Sequence, residues 1–395
     1  MRPASGRCFR ASMGNPSISV PLRKLELCVD HQFLIVLKPV SPPMKNFARF
    51  TTAAIRPLPA MLLVLAAASP VSFVFGQDME RSFTVAEGEW VVLYVERAHI
   101  SVSTWDRAEV AFSAKRAEHL TFELSQADGA ITIHGSDEFS EGNGDVSVSG
   151  LRADGIVIIN GRVVTPDNHS GKWVKTPPAQ IVLNVPYRQN LNLRTSGGNI
   201  RIDRLQGQFN ARASGGDIEA DDVDGSVEVR TAGGGIRLQH ASGSVDATTS
   251  GGSIQLGNVS GEIKSRTSGG SIRIGEAHGT LEARTSGGSI AVGSASGAVH
   301  ASTAGGSVEV RMADQPKSDS ELRATGGNVT VYLRDDLQLD LSAKSTGGRI
   351  RSDFPDLAPE NTAGRARVEK PLNGGGPDLV VRSTGGSIRI RRLDD

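Results

Sequence analysis

Residues 195–311 decide the fold, because the unit TSGGNIRIDRLQGQFNAR at 195–212 returns as TSGGSIRIGEAHGTLEAR at 267–284. Each unit is 18 residues long and contains a Gly-Gly pair and another glycine, ten residues after the first of the pair. The pairs stand at 197–198, 215–216, 233–234, 251–252, 269–270, 287–288 and 305–306. Similarity at one fixed period is the signature of a repeat architecture.

Apolar and polar residues alternate in two short runs of every unit. The first apolar column is Ile200, Ile218, Ile236, Ile254, Ile272, Ile290 and Val308. The second run begins with Phe209, Val227, Val245, Ile263, Leu281 and Val299. A spacing of two places alternate side chains on opposite faces of a strand, and the glycine density disfavours helix. Each unit therefore predicts two β-strands, with one face inward and the other toward water.

One unit is too small to form a core, so neighbouring units must share theirs by stacking. Coils about 4.8 Å apart would pair each strand in register with the same strand of the next coil. The predicted fold is all-β, a single-chain parallel β-helix or β-solenoid with about 18 residues per coil. The handedness of parallel crossovers favours a right-handed coil. Left-handed hexapeptide solenoids also use coils of this length, but their sequence pattern recurs every six residues, which the glycines here do not.

The first 76 residues differ from the rest in charge and cysteine content. They hold nine Lys+Arg and two Asp+Glu, which leaves 34 basic and 41 acidic residues in the remainder. An acidic remainder argues against a nucleic-acid partner. Both cysteines, Cys8 and Cys28, also lie in the first 76 residues. We therefore expect neither disulfides nor thiolate metal sites beyond them.

Residues 44–76 have the pattern of a secretory signal. Lys45, Arg49 and Arg56 form a basic start, and residues 58–75 are uncharged. The signal predicts an exported protein, located in the periplasm, on the cell surface or outside the cell. An uncleaved anchor is the alternative, because 18 uncharged residues reach membrane-spanning length. With the signal cleaved, we expect no stable membrane span.

The sequence divides into five segments. Residues 1–43 are interpreted as an extension from a start codon assigned too early, with Met44 as the true initiator, and the signal follows at 44–76. Residues 77–194 predict irregular N-terminal β-coils and capping loops, since strand patterns continue there without the strict period. The regular repeats occupy 195–313. Residues 314–395 predict longer C-terminal coils with a closing strand at 387–390.

Several motifs outside the repeats support a family resemblance. They are Phe83-Thr84-Val85, Ile100-Ser101-Val102, Trp105-Asp106, Val185-Pro186, Asp353-Phe354-Pro355 and a final Ser-Thr-Gly-Gly-Ser-Ile at 383–388. Together with the Thr-Ser-Gly-Gly-Ser-Ile repeats, these motifs resemble the bacterial β-solenoid family named "putative adhesin", a domain of unknown function. The resemblance covers roughly residues 80–392. It implies a β-solenoid at the cell surface and supplies no catalytic residues.

Most chemical motifs of the repeats have a structural interpretation. The threonine column Thr195, Thr231, Thr249, Thr267, Thr285 and Thr303 shares the parity of the apolar columns, so its hydroxyls should serve backbone groups in the turn. Glu219, Asp221, Asp222 and Asp224 could hold a cation or form a solvated acidic corner. His240, His278 and His300 occupy three different columns. We expect no catalytic residue, cofactor or metal site.

A row of arginines is the candidate ligand-binding face. Its members are Arg212, Arg230, Arg266 and Arg284, which share one outward position of the repeat, with Thr248 as the gap. Guanidinium groups bind carboxylates and phosphates through two parallel hydrogen bonds. Glu228, Asp246 and Glu282 lie two residues before the row, so a self-neutralised face is the alternative.

Three classes of function fit the sequence. The first is a non-catalytic cell-envelope protein, an adhesin or a binding or structural scaffold, whose partner is an unknown envelope protein or polysaccharide. The second is an accessory protein of envelope stress or signalling. The third is a polysaccharide-active β-helix enzyme, which would need carboxylates and a basic residue that converge in a cleft lined by aromatic residues.

The signal interpretation predicts the start of the mature chain. N-terminal sequencing of exported protein should give a first residue near Gln77, because the small or tolerated residues Val74-Phe75-Gly76 precede it. Mature protein that still contains Cys8 or Cys28 would contradict both the cleavage site and the interpretation of residues 1–43.

Overall fold

The structure, a computed structural model, describes residues 79–117, 120–127, 129–137, 178–362 and 364–393, and the backbone of three short strands at 71–73, 157–159 and 162–164. All of them belong to one compact unit, Leu65–Asp395. The predicted extension 1–43 lies outside the described residues. So does the predicted signal 44–76, apart from 71–73.

Eleven strands precede the regular repeats. They are β1 (Val71–Phe73), β2 (Met79–Thr84), β3 (Trp90–Val95), β4 (Ala98–Trp105), β5 (Glu109–Lys115), β6 (Leu120–Ala127), β7 (Ala130–Asp137), β8 (Val157–Ile159), β9 (Arg162–Val164), β10 (Ala179–Pro186) and β11 (Asn190–Thr195). Strand β1 falls inside the predicted signal and pairs with β6. Strand β9 falls within residues 160–178, whose Gly, Ser, Asp and Pro content predicts a loop.

The regular repeats form two strands per unit, as the alternation predicts. These strands are β12 (Ile200–Gln206), β13 (Phe209–Ala213), β14 (Ile218–Asp224), β15 (Val227–Thr231), β16 (Ile236–Ala241), β17 (Val245–Thr249), β18 (Ile254–Val259), β19 (Ile263–Thr267), β20 (Ile272–Ala277), β21 (Leu281–Thr285), β22 (Ile290–Ala295), β23 (Val299–Thr303) and β24 (Val308–Met312).

The C-terminal part adds eight strands and one turn of 3-10 helix at Pro355–Leu357. The strands are β25 (Ser320–Ala324), β26 (Val329–Leu333), β27 (Leu339–Thr346), β28 (Ile350–Ser352), β29 (Glu360–Thr362), β30 (Arg365–Leu372), β31 (Asp378–Ser383) and β32 (Ile388–Arg392).

The strands build two long sheets that face each other across one core. Sheet 1 has the order β1-β6-β7-β3-β11-β13-β15-β17-β19-β21-β23-β25-β31-β27-β30-β29, and sheet 2 has the order β2-β5-β10-β4-β12-β14-β16-β18-β20-β22-β24-β26-β32-β28. Within the repeats every neighbour is parallel and in register, so that Ile254 pairs with Ile272 and Ile272 with Ile290. The predicted all-β parallel β-solenoid is confirmed, and its right-handedness stays a prediction.

The inward columns are buried, as strand parity predicts. Ile272 is fully buried while Arg273 beside it is exposed. The threonine column is also buried, at 2 to 6% exposure for the members between Thr195 and Thr303. The Thr285 hydroxyl donates to the Gly270 carbonyl of the preceding coil at 2.8 Å. These hydroxyls satisfy the turn carbonyls, which confirms their structural interpretation.

The second glycine of each Gly-Gly pair is required by the close approach of successive coils. A methyl group at Gly270 would lie 1.9 Å from the Gly252 carbonyl oxygen, and the equivalent distances from Gly216 to Gly306 are all 1.9 to 2.1 Å. The first glycine of the pair has more room, since a methyl group at Gly269 would lie 3.3 Å from the Gly251 carbonyl oxygen. The two glycines therefore play different roles.

Both ends of the stack depart from the order of the sequence. The last strand, β32, was expected to close the stack, but it lies between β26 and β28. Its coil partner β31 lies likewise between β25 and β27. At the other end, β10 enters between β5 and β4, antiparallel to the first and parallel to the second. The N-terminal strands are thus a mixture of parallel and antiparallel pairs rather than coils alone.

The asymmetry of the Gly-Gly pair gives a matched test of the stack. Gly270→Ala should lower the free energy of unfolding by a few kcal/mol, on the order of the cost of overpacking, because the backbone of two coils must separate. Gly269→Ala should cost much less, because the new methyl group is only in tight contact. Chemical unfolding of the two variants compares them directly, and equal loss of stability would contradict the assigned close approach.

Candidate ligand-binding surfaces

The four arginines predicted as a ligand-binding face lie on one outward row of sheet 1. In register, Arg212 is beside Arg230 and Arg266 is beside Arg284. Thr248 on β17 fills the gap between the two pairs. The in-register stacking of identical repeat positions is what brings these side chains together.

The structure extends this row in both directions beyond the four predicted residues. Arg194 on β11 precedes Arg212, while Arg323, Arg382 and Lys344 follow on β25, β31 and β27 with Ser302 as a second gap. We call the eight residues the cation row: Arg194, Arg212, Arg230, Arg266, Arg284, Arg323, Arg382 and Lys344. They occupy ten consecutive strands of sheet 1.

Arg323, Arg382 and Lys344 were missed because the C-terminal coils break the 18-residue period, while Arg194 keeps the period but precedes the first regular unit at 195. A different signal in the sequence identifies them. Every member of the cation row stands three residues before the first glycine of a Gly-Gly pair, as Arg323 does before Gly326 and Arg382 before Gly385. Alignment on the glycines rather than on the period would have found them.

Carboxylates on the same face pair with the four predicted arginines. Glu228 lies 3.3 Å from the Arg212 guanidinium and 3.2 Å from that of Arg230. Glu282 lies 2.7 Å from Arg266 and 3.1 Å from Arg284. All of these side chains are partly exposed, so each pair contributes at most about 1 kcal/mol. These ion pairs are the ones that the sequence-based alternative, a self-neutralised face, predicts.

Cations nevertheless exceed carboxylates on the strands of this face. The outward column beside the cation row contains four carboxylates and one lysine: Glu228, Asp246, Glu282, Glu321 and Lys264. Arg194 and Arg382 have no carboxylate partner among the residues that the structure describes. In these two columns of the ten described strands cations therefore outnumber carboxylates, and Arg194 and Arg382 are the unpaired members of the row.

At the C-terminal end of this face, Lys344 joins a small charged cluster on β30. Arg367 and Lys344 both bond to Glu369, the lysine at 3.0 Å. The hydrogen bonds from Arg367 and then Lys344 lower the pKa of the Glu369 carboxyl to about 2. The same contact raises the pKa of Arg367. A lowered folded-state pKa stabilises the fold above the unfolded value of 4.5, and this contribution is lost as the pH falls toward about 2.

Sheet 2 holds a second group of arginines near the same end of the stack. Arg351 on β28 lies in register beside Arg389 on β32, and Arg391 lies beside Tyr332. Arg349 immediately precedes β28. Within the described part of the chain none of these four arginines has a carboxylate partner. They form a patch whose charge is not neutralised locally.

A shallow groove of about 650 Å³ runs across the regular coils on the outer side of sheet 2. Its floor includes Gly257, Gly275 and Gly293, and its walls include Arg237 and Arg273. Glycine at these positions follows from close approach, since a methyl group at Gly257 would lie 2.2 Å from the Gln239 carbonyl oxygen. The groove is thus a consequence of coil packing.

The acidic residues considered for a cation do not converge. Asp224 accepts hydrogen bonds from Gln206 and Ser242, and Asp222 lies 3.6 Å from Arg204. Glu219 lies 2.6 Å from Arg237, and Asp221 accepts from Gln239. Among the described residues no group of three or more His, Cys, Asp or Glu side chains could hold a metal ion.

The three histidines lie on separate surfaces. His240 lines the groove of sheet 2, His300 lies on the face of sheet 1, and His278 is 3.8 Å from Glu276.

In the part of the chain that the structure describes, no helix has the length and apolar character needed to cross a membrane.

The fold and its surfaces define a class of protein: a parallel β-solenoid with two strands per coil and a charged outer face. The model of the Toastrack family, DUF4097, matches residues 89–391. The chain therefore belongs to this family, a domain of unknown function. The resemblance seen in the sequence is confirmed.

Solved structures of bacterial proteins also match. A "putative cell adhesion protein" from Clostridium sporogenes is 10% identical, with 80% of this chain and 100% of that chain covered and a TM-score of 0.17. A "putative adhesin" from Bacteroides fragilis is 11% identical, with 81% and 99% covered and a TM-score of 0.24. A "putative adhesin" from Parabacteroides merdae is 9% identical, with 81% and 97% covered and a TM-score of 0.28. A comparison with curated proteins finds no match.

Proposed function

We propose that this protein is an exported, non-catalytic component of the cell envelope that binds an anionic polymer along the cation row. One observation supports the proposal above all others: eight cationic side chains stand in register over ten consecutive strands. The predicted secretory signal supports export. An adhesin or a scaffold of the envelope would both use such a face.

The spacing of the row suits an extended ligand. Neighbouring strands lie about 4.8 Å apart, so the row presents a charge at nearly every step along the stack. Carboxylate or phosphate groups of a polymer would meet guanidinium groups that bind them through two hydrogen bonds. Many weak contacts along one chain add up to a strong interaction, because each contact after the first is intramolecular.

The carboxylates already present on the face do not prevent this binding. Each exposed pair, such as Arg230 with Glu228, stabilises the fold by at most about 1 kcal/mol. An anionic polymer can therefore replace Glu228 or Glu282 as the partner at small cost. The internal carboxylates would then act as competitors that tune the affinity and keep the free face hydrated.

The test replaces the four central members of the row, in the variant Arg212→Ser, Arg230→Ser, Arg266→Ser and Arg284→Ser. Retention of this variant on purified anionic envelope polysaccharide should fall strongly at low salt, and wild-type retention should itself fall at high salt, because exposed charges are screened.

The matched control is the variant Arg349→Ser, Arg351→Ser, Arg389→Ser and Arg391→Ser. It makes the same change in net charge on sheet 2, so its retention should stay close to that of the wild type. Loss of retention in the control alone would move the polymer site to the patch on sheet 2. Absent wild-type retention, or equal retention of all three proteins, would contradict polymer binding through either set.

A further inference from the structure

A concave pocket of about 350 Å³ lies at one corner of sheet 2, where β2, β10 and β4 all end. In the regular coils this corner is closed by a tight turn with a glycine, such as Gly225 at φ 156. Here the segments after Thr84, after Trp105 and after Pro186 replace that turn, and the first of them is five residues long against two or three in the regular coils. These segments form a pocket lined by a tryptophan and a tyrosine, residue types that do not line the groove across the regular coils.

Backbone hydrogen bonds hold the three segments together. Val85 donates its amide to the Ala108 carbonyl at 3.2 Å, and Tyr187 donates its amide to the Trp105 carbonyl at 3.1 Å. Pro186 is in register with Trp105 on the neighbouring strand. The pocket walls are thus fixed by the strand ends and do not need a ligand to form.

Two aromatic side chains face this pocket. Tyr187 is 37% exposed, the one large hydrophobic side chain that is exposed among the residues described. Trp105 is half-buried, and its indole N–H donates to the Glu109 carbonyl at 2.7 Å. With this polar edge satisfied inside the protein, the ring surface that the Arg107 guanidinium does not cover is apolar. Buried Val85 and Pro186 add to the apolar lining.

Charged groups of both signs surround the aromatic surface. The Arg107 guanidinium lies 4.9 Å from the centre of the Trp105 ring. Arg188 lies 3.5 Å from Glu87 and donates to Gln206 at 2.9 Å. The carboxylate of Asp106 is exposed and has no partner in the described part of the chain. The lining contains two carboxylates and two guanidinium groups, so it has no net charge.

From this arrangement we infer that the pocket is a binding site for a neutral saccharide. A pyranose ring has an apolar C–H face, which packs on an aromatic ring, and an edge of hydroxyl groups, which donate to carboxylates and accept from guanidinium groups. A lining with no net charge gives no electrostatic preference for a polyanion. The volume lies at the lower end of the range for small-molecule sites, about 300–1,000 Å³, which suits one or two sugar residues.

This site differs from the cation row in its sheet, its shape and its ligand, so it does not rest on the proposed function. The cation row lies along the outer face of sheet 1, while the pocket lies at a corner of sheet 2. A neutral sugar bound at the corner would be insensitive to salt. A polymer bound along the row would be released by salt.

The experiment uses the exported full-length protein and four neutral probes: cellotetraose, maltotetraose, chitotetraose and mannotetraose. Saturation-transfer NMR and tryptophan fluorescence should show saturable, salt-independent binding of at least one probe. Tyr187→Ala, an exposed change that leaves the fold intact, should weaken that binding about tenfold through the lost stacking surface. Trp105→Phe should retain weaker binding and lose the fluorescence change, because the reporting indole is gone.

Tyr332→Ala is the matched control. Tyr332 is also a half-buried aromatic residue on sheet 2 and also lies against a guanidinium, that of Arg311 at 4.6 Å, but it is not part of the pocket. This variant and the serine variant of the cation row should both bind the sugar as the wild type does. The inference is overturned if none of the four probes binds at millimolar concentration, or if Tyr187→Ala binds as tightly as the wild type.

Discussion

Direct backbone contact between successive coils is the constraint on which the rest of the structure depends. The second glycine of each Gly-Gly pair lies so close to a carbonyl oxygen of a neighbouring coil that no side chain fits between them. This contact fixes each coil over its neighbour without a slip in register. The buried threonine hydroxyls then reach the same carbonyls from inside, as Thr267 reaches Gly252 at 2.9 Å. Because the register cannot drift, any residue type repeated in the sequence becomes a straight column in space.

The sequence predicts the features that follow from the in-register stacking of the repeats. It does not predict how the strands at the two ends of the stack pair. The two strands per unit, the inward columns and the row from Arg212 to Arg284 all derive from a period that is local in the chain. The position of β32 between β26 and β28 does not, because it depends on pairing between segments far apart in sequence. The pocket was missed for the same reason. Val85, Trp105 and Tyr187 meet only because β10 enters beside β4, and no short motif records that pairing.

Regularity and irregularity give this solenoid two different kinds of surface. A stack of identical coils offers long faces on which each outward position recurs once per strand, which suits a long ligand and many weak contacts. Its corners are closed by glycine turns, so it offers few enclosed sites. The pocket lined by Trp105 and Tyr187 arises where the repeat fails, at the ends of β2, β4 and β10. The stacked coils therefore form the cation row, and the irregular N-terminal strands form the aromatic pocket.

The irregular ends also solve a problem that every open solenoid has. A terminal coil with free backbone N–H and C=O groups would pair with another molecule and promote aggregation. On sheet 1 the C-terminal edge is β29, a strand of three exposed residues that follows the antiparallel strand β30 with its charged side chains Arg365, Arg367 and Glu369. On sheet 2 the edge is β28, also three residues long, followed at once by buried Phe354 and Leu357. Short edge strands and nearby charged side chains disfavour such pairing, and the departure from the repeat at the other end forms the pocket.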